Sequence, residues 1–224
     1  MLYFDATLRG DQSSTLPISN NMYIYPSFSG SFVFSELLKL GDKLPYGKVR
    51  MSWAQVGSDT DPYQLGLVYT KSKFAYPGYT IGYISNGTIP NKDLKPTKTN
   101  SFEMGLELKF LKNRIGLDFT YYSQLSKNQI MGMASSSTSS YGYRLINAGE
   151  IENKGVEIAL NTRPIQTKDF SWDLNFNFSK NSNKVKKLVD DMDMFELEKA
   201  TWLDVQVAAK VGENFGSIVG PDFQ

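Results

Sequence analysis

Residues 101–122 read SFEMGLELKFLKNRIGLDFTYY. Every second residue of the first half, Phe102, Met104, Leu106, Leu108 and Phe110, is apolar, while Ser101, Glu103, Gly105, Glu107 and Lys109 alternate with them. A period of two with this contrast describes a β-strand with one apolar and one wet face. After LKNR the alternation resumes, with Leu117 and Phe119 flanking Asp118. Two further segments repeat the pattern. In NAGEIENKGVEIAL (147–160) and the residue after it, Val156, Ile158 and Leu160 oppose Asn153, Glu157 and Asn161; in FSWDLNFNF (170–178), Trp172, Leu174, Phe176 and Phe178 oppose Ser171, Asp173, Asn175 and Asn177.

Working outward, alternation predicts eight strands, at roughly 1–9, 23–36, 47–57, 100–111, 114–125, 150–163, 169–180 and 203–212. The connections alternate too. Those near 40–46, 112–114 and 164–168 are short, whereas 10–21, 58–99, 126–149 and 181–201 are long. A soluble sandwich has no reason to send its long loops to one end, while a membrane barrel has short turns on one rim and long loops on the other. The reading is therefore all-β, an antiparallel transmembrane β-barrel segment of about eight strands, beside which stands an antiparallel sheet packed on a soluble core, since that shows the same alternation. No apolar run approaches the ~20 residues of a membrane helix, but strands of ~9–11 residues span with one apolar face only. Tyr121, Tyr122 and Trp172, near the expected strand ends, suit an aromatic girdle.

Composition removes most chemistry. The 224 residues contain no cysteine and no histidine, which excludes disulfides, thiolate nucleophiles, Ser-His-Asp triads and Cys- or His-bound zinc. A formal net charge of +1 gives no field for nucleic acid. Met1 leads directly into LYFDATLR, without the charged start and apolar core of a signal peptide, so either a cytosolic protein or one whose front end lies elsewhere is expected.

Register can be pushed further. If Phe110 and Ile115 both face outward, the loop between them holds an even number of residues. A turn at Lys112-Asn113 sets Glu107 opposite Asp118; a turn at Asn113-Arg114 sets Lys109 there instead and avoids facing like charges, and is the one expected. The next hairpin needs a loop of odd length, with Pro164 in it.

Catalytic and metal candidates are weak. Glu103 and Glu107 share a face, but four residues along a strand is ~13 Å, too far for a glycosidase pair. Asp190, Asp191 and Asp193, like Asp59 and Asp61, lack the spacing of a calcium loop, and GENFG (212–216) lacks the lysine and helix of a phosphate cradle. No enzyme, cofactor or metal is expected. The loop 58–99 carries Tyr63, Tyr69, Phe74, Tyr76, Tyr79 and Tyr83 among Gly, Ser and Asn, flat faces with hydrogen-bonding groups of the sort that oligosaccharides or peptides bind. Of these, Tyr63, Phe74, Tyr76, Tyr79 and Tyr83 are the expected ligand contacts.

Taken in order, these blocks resemble the barrel of SusC/RagA-type TonB-dependent outer-membrane transporters. The matching positions are Asn91, Leu94, Lys95 and Pro96; Glu103, Gly105, Leu106, Glu107 and Phe110; Arg114, Gly116, Leu117, Asp118, Thr120, Tyr121 and Tyr122; and Asn147, Gly149, Asn153, Lys154, Gly155, Val156 and Glu157. YPSFSGSF (25–32) and FSWDLNFNFSKNSNKVKKL (170–188) add to the likeness, while Thr97 stands where the family usually has glutamate.

The resemblance implies a segment of a barrel of 22 strands in the bacterial outer membrane. Residues 1–224 would be a partial barrel domain, with plug domain, TonB box and final strand not in it. It implies as partners membrane lipids, TonB, a SusD-like surface lipoprotein and an oligosaccharide or peptide cargo. Phe102, Met104, Leu106, Leu108, Phe110, Leu117, Phe119, Val156, Ile158, Leu160, Trp172, Leu174 and Phe176 would face lipid. Glu103, Glu107, Lys109, Asp118, Asn153, Glu157, Asn161, Asp173, Asn175 and Asn177 would line the lumen. The competing readings are a complete small outer-membrane barrel with a structural or adhesive role, and a soluble carbohydrate-binding β-domain.

Overall fold

A computed structural model describes residues 1–67, 69–73, 77–84, 87–139, 141–189, 192–199 and 204–221. In chain order its elements are β1 (Leu2–Gln12), β2 (Met22–Val33), the short helix α1 (Phe34–Leu38), β3 (Tyr46–Ser58), β4 (Tyr69–Lys71), β5 (Gly82–Ile84), β6 (Thr88–Ile89), β7 (Thr97–Phe110), β8 (Ile115–Ala134), β9 (Tyr143–Gln166), β10 (Ser171–Lys187), β11 (Met194–Lys199), β12 (Gln206–Lys210) and β13 (Ser217–Val219). An eight-stranded sheet runs in the order β1-β2-β3-β7-β8-β9-β10, with β6 paired to β9 off that path. Its long neighbours are all antiparallel, and β6 alone pairs in parallel. Among the described residues β1 and β10 form the two edges and do not pair with each other, so the sheet does not close as a small barrel would.

Several expectations are corrected. The segment 203–212 is not a wall strand: β12 is the centre of a separate sheet, β11-β12-β13. Ala208 and Ala209 are wholly buried there, and small side chains let that sheet sit tightly against the end of β10. Residues 34–36 are helical, because the ring of Phe34 folds back over Gly47, where a Cβ would stand 2.5 Å from it. The expected loop 126–149 is largely a hairpin: β8 and β9 pair out to Ala134↔Tyr143. Asn128 and Gly149 interrupt it, lying opposite one another in the left-handed region at φ 56° and 75°.

Both hairpin registers are informative. The expected turn at Asn113-Arg114 is wrong: Phe110 pairs Ile115, and Glu107 does stand opposite Asp118. Leu111, Lys112 and Asn113 all have positive φ, and Arg114 N–H donates to the Leu111 carbonyl at 3.2 Å, a turn centred on Lys112-Asn113. In the next hairpin the odd residue enters as a bulge. Trp172 pairs Ile165 but Leu174 pairs Thr162, leaving Arg163 and Pro164 opposite Asp173. Proline sits where no ladder bond is asked of it.

Among the described residues, buried apolar side chains are confined to the ends of the sheet. Of the buried apolar residues Leu16, Val33, Leu94, Ala148, Val185, Leu188, Phe195, Ala208 and Ala209, all but Val33 lie at the end carrying the connections 13–21, 59–96, 135–142 and 188–193. There Val185, Leu188, Phe195 and Ala209 form a core, with Met131 and Met133 of β8 against it. Backbone bonds from Val185 N–H to the Glu213 carbonyl (2.9 Å) and from Gly212 N–H to the Val185 carbonyl (2.8 Å) fasten the small sheet to β10. Between the rims the wall has no core of its own.

Candidate functional site

The wall itself is the site, and its two faces differ. Pairing sets Leu2, Phe32, Val49, Leu106, Phe119, Ile158 and Phe178 level with one another across all the long strands, on the same face. All thirteen residues expected on the apolar face, Phe102 through Phe176, fall on it by this register and by strand alternation. Much of this face is bare: Phe4 is 74% and Phe176 57% exposed, and Phe28 stacks on Trp53 at 6.1 Å without leaving the surface. Tyr121 pairs Met104 on this face; Tyr122 pairs Glu103 on the other, so the expectation of a girdle at Tyr122 is corrected. Neither is at a strand end, since β8 continues to Ala134.

The apolar run does not stop at the same level on each strand. Its uninterrupted part ends toward the loop rim at Phe178 on β10, Val156 on β9, Tyr121 on β8 (with Leu125 beyond Ser123), Phe102 on β7, Trp53 on β3 and Leu8 on β1, while on β2 apolar residues continue through Ile24 to Met22. Val156 pairs Lys180, two residues beyond Phe178; Phe102 pairs Ser123, two beyond Tyr121; and Trp53 pairs Phe28, which pairs Ala6, two short of Leu8. Apart from β2, the edge thus climbs by about one residue per strand, which at ~3.3 Å rise and ~4.8 Å strand spacing is a slope of ~35°. A flat slab cut across tilted barrel strands leaves this trace, because such strands tilt by about 35–45°. On β7 the run from Phe102 to Phe110 is ~26 Å along the strand.

The opposite face is mainly polar, with Ala54, Val56 and Ala159 among its few apolar residues. Glu103, Glu107, Lys109, Asp118, Asn153, Glu157, Asn161, Asn175 and Asn177 share it by register, and Asp173 joins them by alternation, paired to Arg163 at 2.6 Å. At its centre is Arg50, which sequence reasoning did not single out. Its Nη1 and Nη2 donate to the two Asp118 carboxylate oxygens at 3.1 and 2.9 Å, and Nη2 to Thr120 Oγ1 at 2.6 Å, although β7 lies between. The guanidinium passes over Gly105, where any Cβ would stand 2.3 Å from Arg50 Nε. This fork offsets the repulsion of the facing Glu107 and Asp118, the reason the disfavoured register is adopted.

A second crossing repeats the device. Tyr122 on β8 reaches over Gly155 on β9, where a Cβ would stand 2.6 Å from the hydroxyl, and donates to Asn181 Oδ1 on β10 at 3.2 Å. The signal for both was available, since a glycine inside an otherwise regular strand marks close approach. The partner crossing each glycine was not. Beside the first lies a recess of about 540 Å³ lined by Arg50, Asp118, Thr120, Glu157, Asn161 and Asn177.

At the loop rim, two separated motifs meet. Asn147 donates from Nδ2 to the Lys95 carbonyl (2.7 Å) and accepts at Oδ1 from Lys95 N–H (2.8 Å), standing in for a strand partner, while neighbouring Leu94 is wholly buried. Asp59 takes hydrogen bonds from the Ser13 and Thr15 hydroxyls. The Ser13 bond above all holds its carboxyl below the usual carboxylate range, against burial, which raises it. Lys210, beyond the wall, is shifted upward by Glu213 at 2.7 Å. Of the expected contact aromatics, Tyr63, Tyr79 and Tyr83 are 79%, 74% and 54% exposed, while Phe74 and Tyr76 lie outside the described residues, as do Asp190 and Asp191. No group of residues suited to a metal ion occurs among the described residues.

Comparison with known proteins follows the same lines. Residues 2–204 match the family described as TonB dependent receptor-like, beta-barrel. TonB-dependent receptor P3 of Formosa agariphila is 29% identical over 99% of this chain and 23% of its own length. TonB-dependent receptor SusC of Bacteroides thetaiotaomicron is 31% identical over 86% of this chain and 20% of its own. The RagAB peptide importer in its closed-closed state superposes with a TM-score of 0.83 at 21% identity, covering 95% of this chain and 23% of that one, a likeness of fold. The chain thus spans about a quarter or less of these relatives.

Proposed function

Because the chain belongs to the TonB-dependent receptor-like β-barrel family, whose members are outer-membrane proteins, we propose that it is part of the wall and extracellular rim of a SusC/RagA-type importer. The observation that carries this reading is the sloping apolar edge from Phe178 to Leu8. Its slope matches barrel tilt, and a bilayer supplies the cover that the chain does not supply for itself. The apolar face meets lipid and the Arg50–Asp118 face lines the lumen. The open edges at β1 and β10 pair with further wall strands, since a bilayer does not tolerate free strand edges.

Transport rather than catalysis is the activity. The intact importer draws energy through TonB and a plug, works with a SusD-like lipoprotein over the loop rim, and takes an oligosaccharide or peptide. Exposed Tyr63, Tyr79 and Tyr83 on the long loop, with Phe74 and Tyr76 near them in sequence, are the cargo- or lid-facing aromatics. The test is uptake of labelled oligosaccharide and peptide mixtures by cells with and without the gene, before and after an uncoupler. Uptake that needs both the gene and the proton gradient supports the reading. Uptake unaffected by the uncoupler contradicts it.

A further inference from the structure

Past the apolar edge, the outward residues differ by sector. On β8, β7 and β3 the first ones beyond it are Ser123, Asn100 and Gln55, all neutral; on β9 and β10 they are Lys154 and Lys180, followed by Lys184 and Lys186. Lys154 stands opposite Ser182, between Lys180 and Lys184, which are ~13 Å apart along β10. Glu152 is the nearest carboxylate and is already shared, by Lys154 at 3.3 Å and Lys186 at 3.4 Å. Lys180 and Lys184 are exposed and make no ion pair among the described residues, although Lys184 stands opposite the already shared Glu152 in the ladder. One step along β8 and β9, Lys127 and Glu150 pair with each other at 3.2 Å and add no net charge.

Isolated lysines at a membrane edge snorkel wherever they occur. Here four cations, Lys154, Lys180, Lys184 and Lys186, are gathered on two adjacent strands, with Lys154 and Lys180 immediately above the band, whereas β7 and β8 carry one outward lysine each, Lys98 and Lys127, set farther from it. Directly below them are Phe176, Phe178, Val156 and Ile158, an apolar strip that an acyl chain can lie along. The arrangement is amphipathic in the sense of a lipid: chain below, anion above.

Resting on the reading of this face as lipid-facing, we propose that Lys154, Lys180 and Lys184 form a binding site for a phosphate-bearing lipid headgroup in the leaflet on the loop side. The cluster holds the phosphate by charge, and the β9–β10 strip holds its acyl chains. Glu152 keeps Lys154 and Lys186 extended toward the site.

The test uses the intact barrel in phosphatidylcholine nanodiscs, with lipid A as the phosphorylated probe and its dephosphorylated form as the control. Retention on the barrel is read by native mass spectrometry. The phosphorylated probe is expected to be retained, and K154Q/K180Q/K184Q to lower its affinity about tenfold or more. The lumen-side variant K109Q should retain it fully. Equal retention of the dephosphorylated form, or undiminished binding by the triple variant, overturns the site. Heat-modifiable migration of each variant confirms that it is folded. A wild-type barrel that does not insert overturns the wall reading on which the site rests, and so the site with it.

Discussion

Leu108 in the wall and Leu94 at the loop rim are the same side chain in opposite circumstances. Leu94 is wholly buried by its own chain, beside a backbone held by Asn147. Leu108 is half-exposed on an apolar face where the chain offers no second layer. The rim folds as an ordinary protein does, around a core. The wall carries its apolar surface outward, and its stability depends on a solvent that covers that surface.

The largest effect should separate the two leucines. Leu94→Ala leaves a cavity in a packed site and should cost about 3 to 5 kcal/mol of local stability, read as faster amide exchange over 91–96. Leu108→Ala loses only the transfer contribution, about 2 kcal/mol, because lipid fills the space. Equal costs would erase the distinction. Leu108→Arg should cost about 2 to 4 kcal/mol near the midplane and block insertion, whereas Lys109→Ala should insert normally; folding into vesicles, followed by heat-modifiable migration, reports both.

Smaller is the network on the polar face. Arg50→Ala leaves Glu107 facing Asp118 and should cost about 1 to 2 kcal/mol after allowance for the partial exposure of both partners. Gly105→Val should do the same by displacing Arg50, so the double variant should show little further loss. Full additivity in urea titrations would contradict the crossing. Smallest is Asp59. Its depressed folded pKa means that its contribution is complete above the ordinary carboxylate value of ~3.9 and is lost as pH falls through the folded value. Protease protection of the 13–21 loop should therefore weaken below about pH 4 in wild type. In Asp59→Asn it should change little with pH.

Much of this was legible in the sequence, for local reasons. Alternation depends on neighbouring residues, so Phe102 to Phe110 and Val156 to Leu160 declare their faces at once. What failed depended on distant partners. Nothing near Glu107 announces that Arg50 neutralises Asp118 across an intervening strand, so avoiding like charges selected the wrong turn. Residues 206–210 alternate no differently from a wall strand, and only their packing on the end of β10 removes them from the wall. Tyr122 suits a girdle only where β8 ends near 125, and β8 runs on to Ala134 with the Tyr122 hydroxyl on Asn181.

The central claim is that one flat slab covers a tilted wall. With no native cysteine, single substitutions can each carry one bimane probe, and quenching by lipids brominated at defined depths then measures position in the bilayer. Leu8→Cys, Phe102→Cys and Phe178→Cys should report the same depth, although none of the three pairs with another in the sheet. If equal depth is found instead for Leu2, Leu106 and Phe178, which are level in register, or if none of these positions is quenched by lipid, the wall is not a tilted sheet in a membrane.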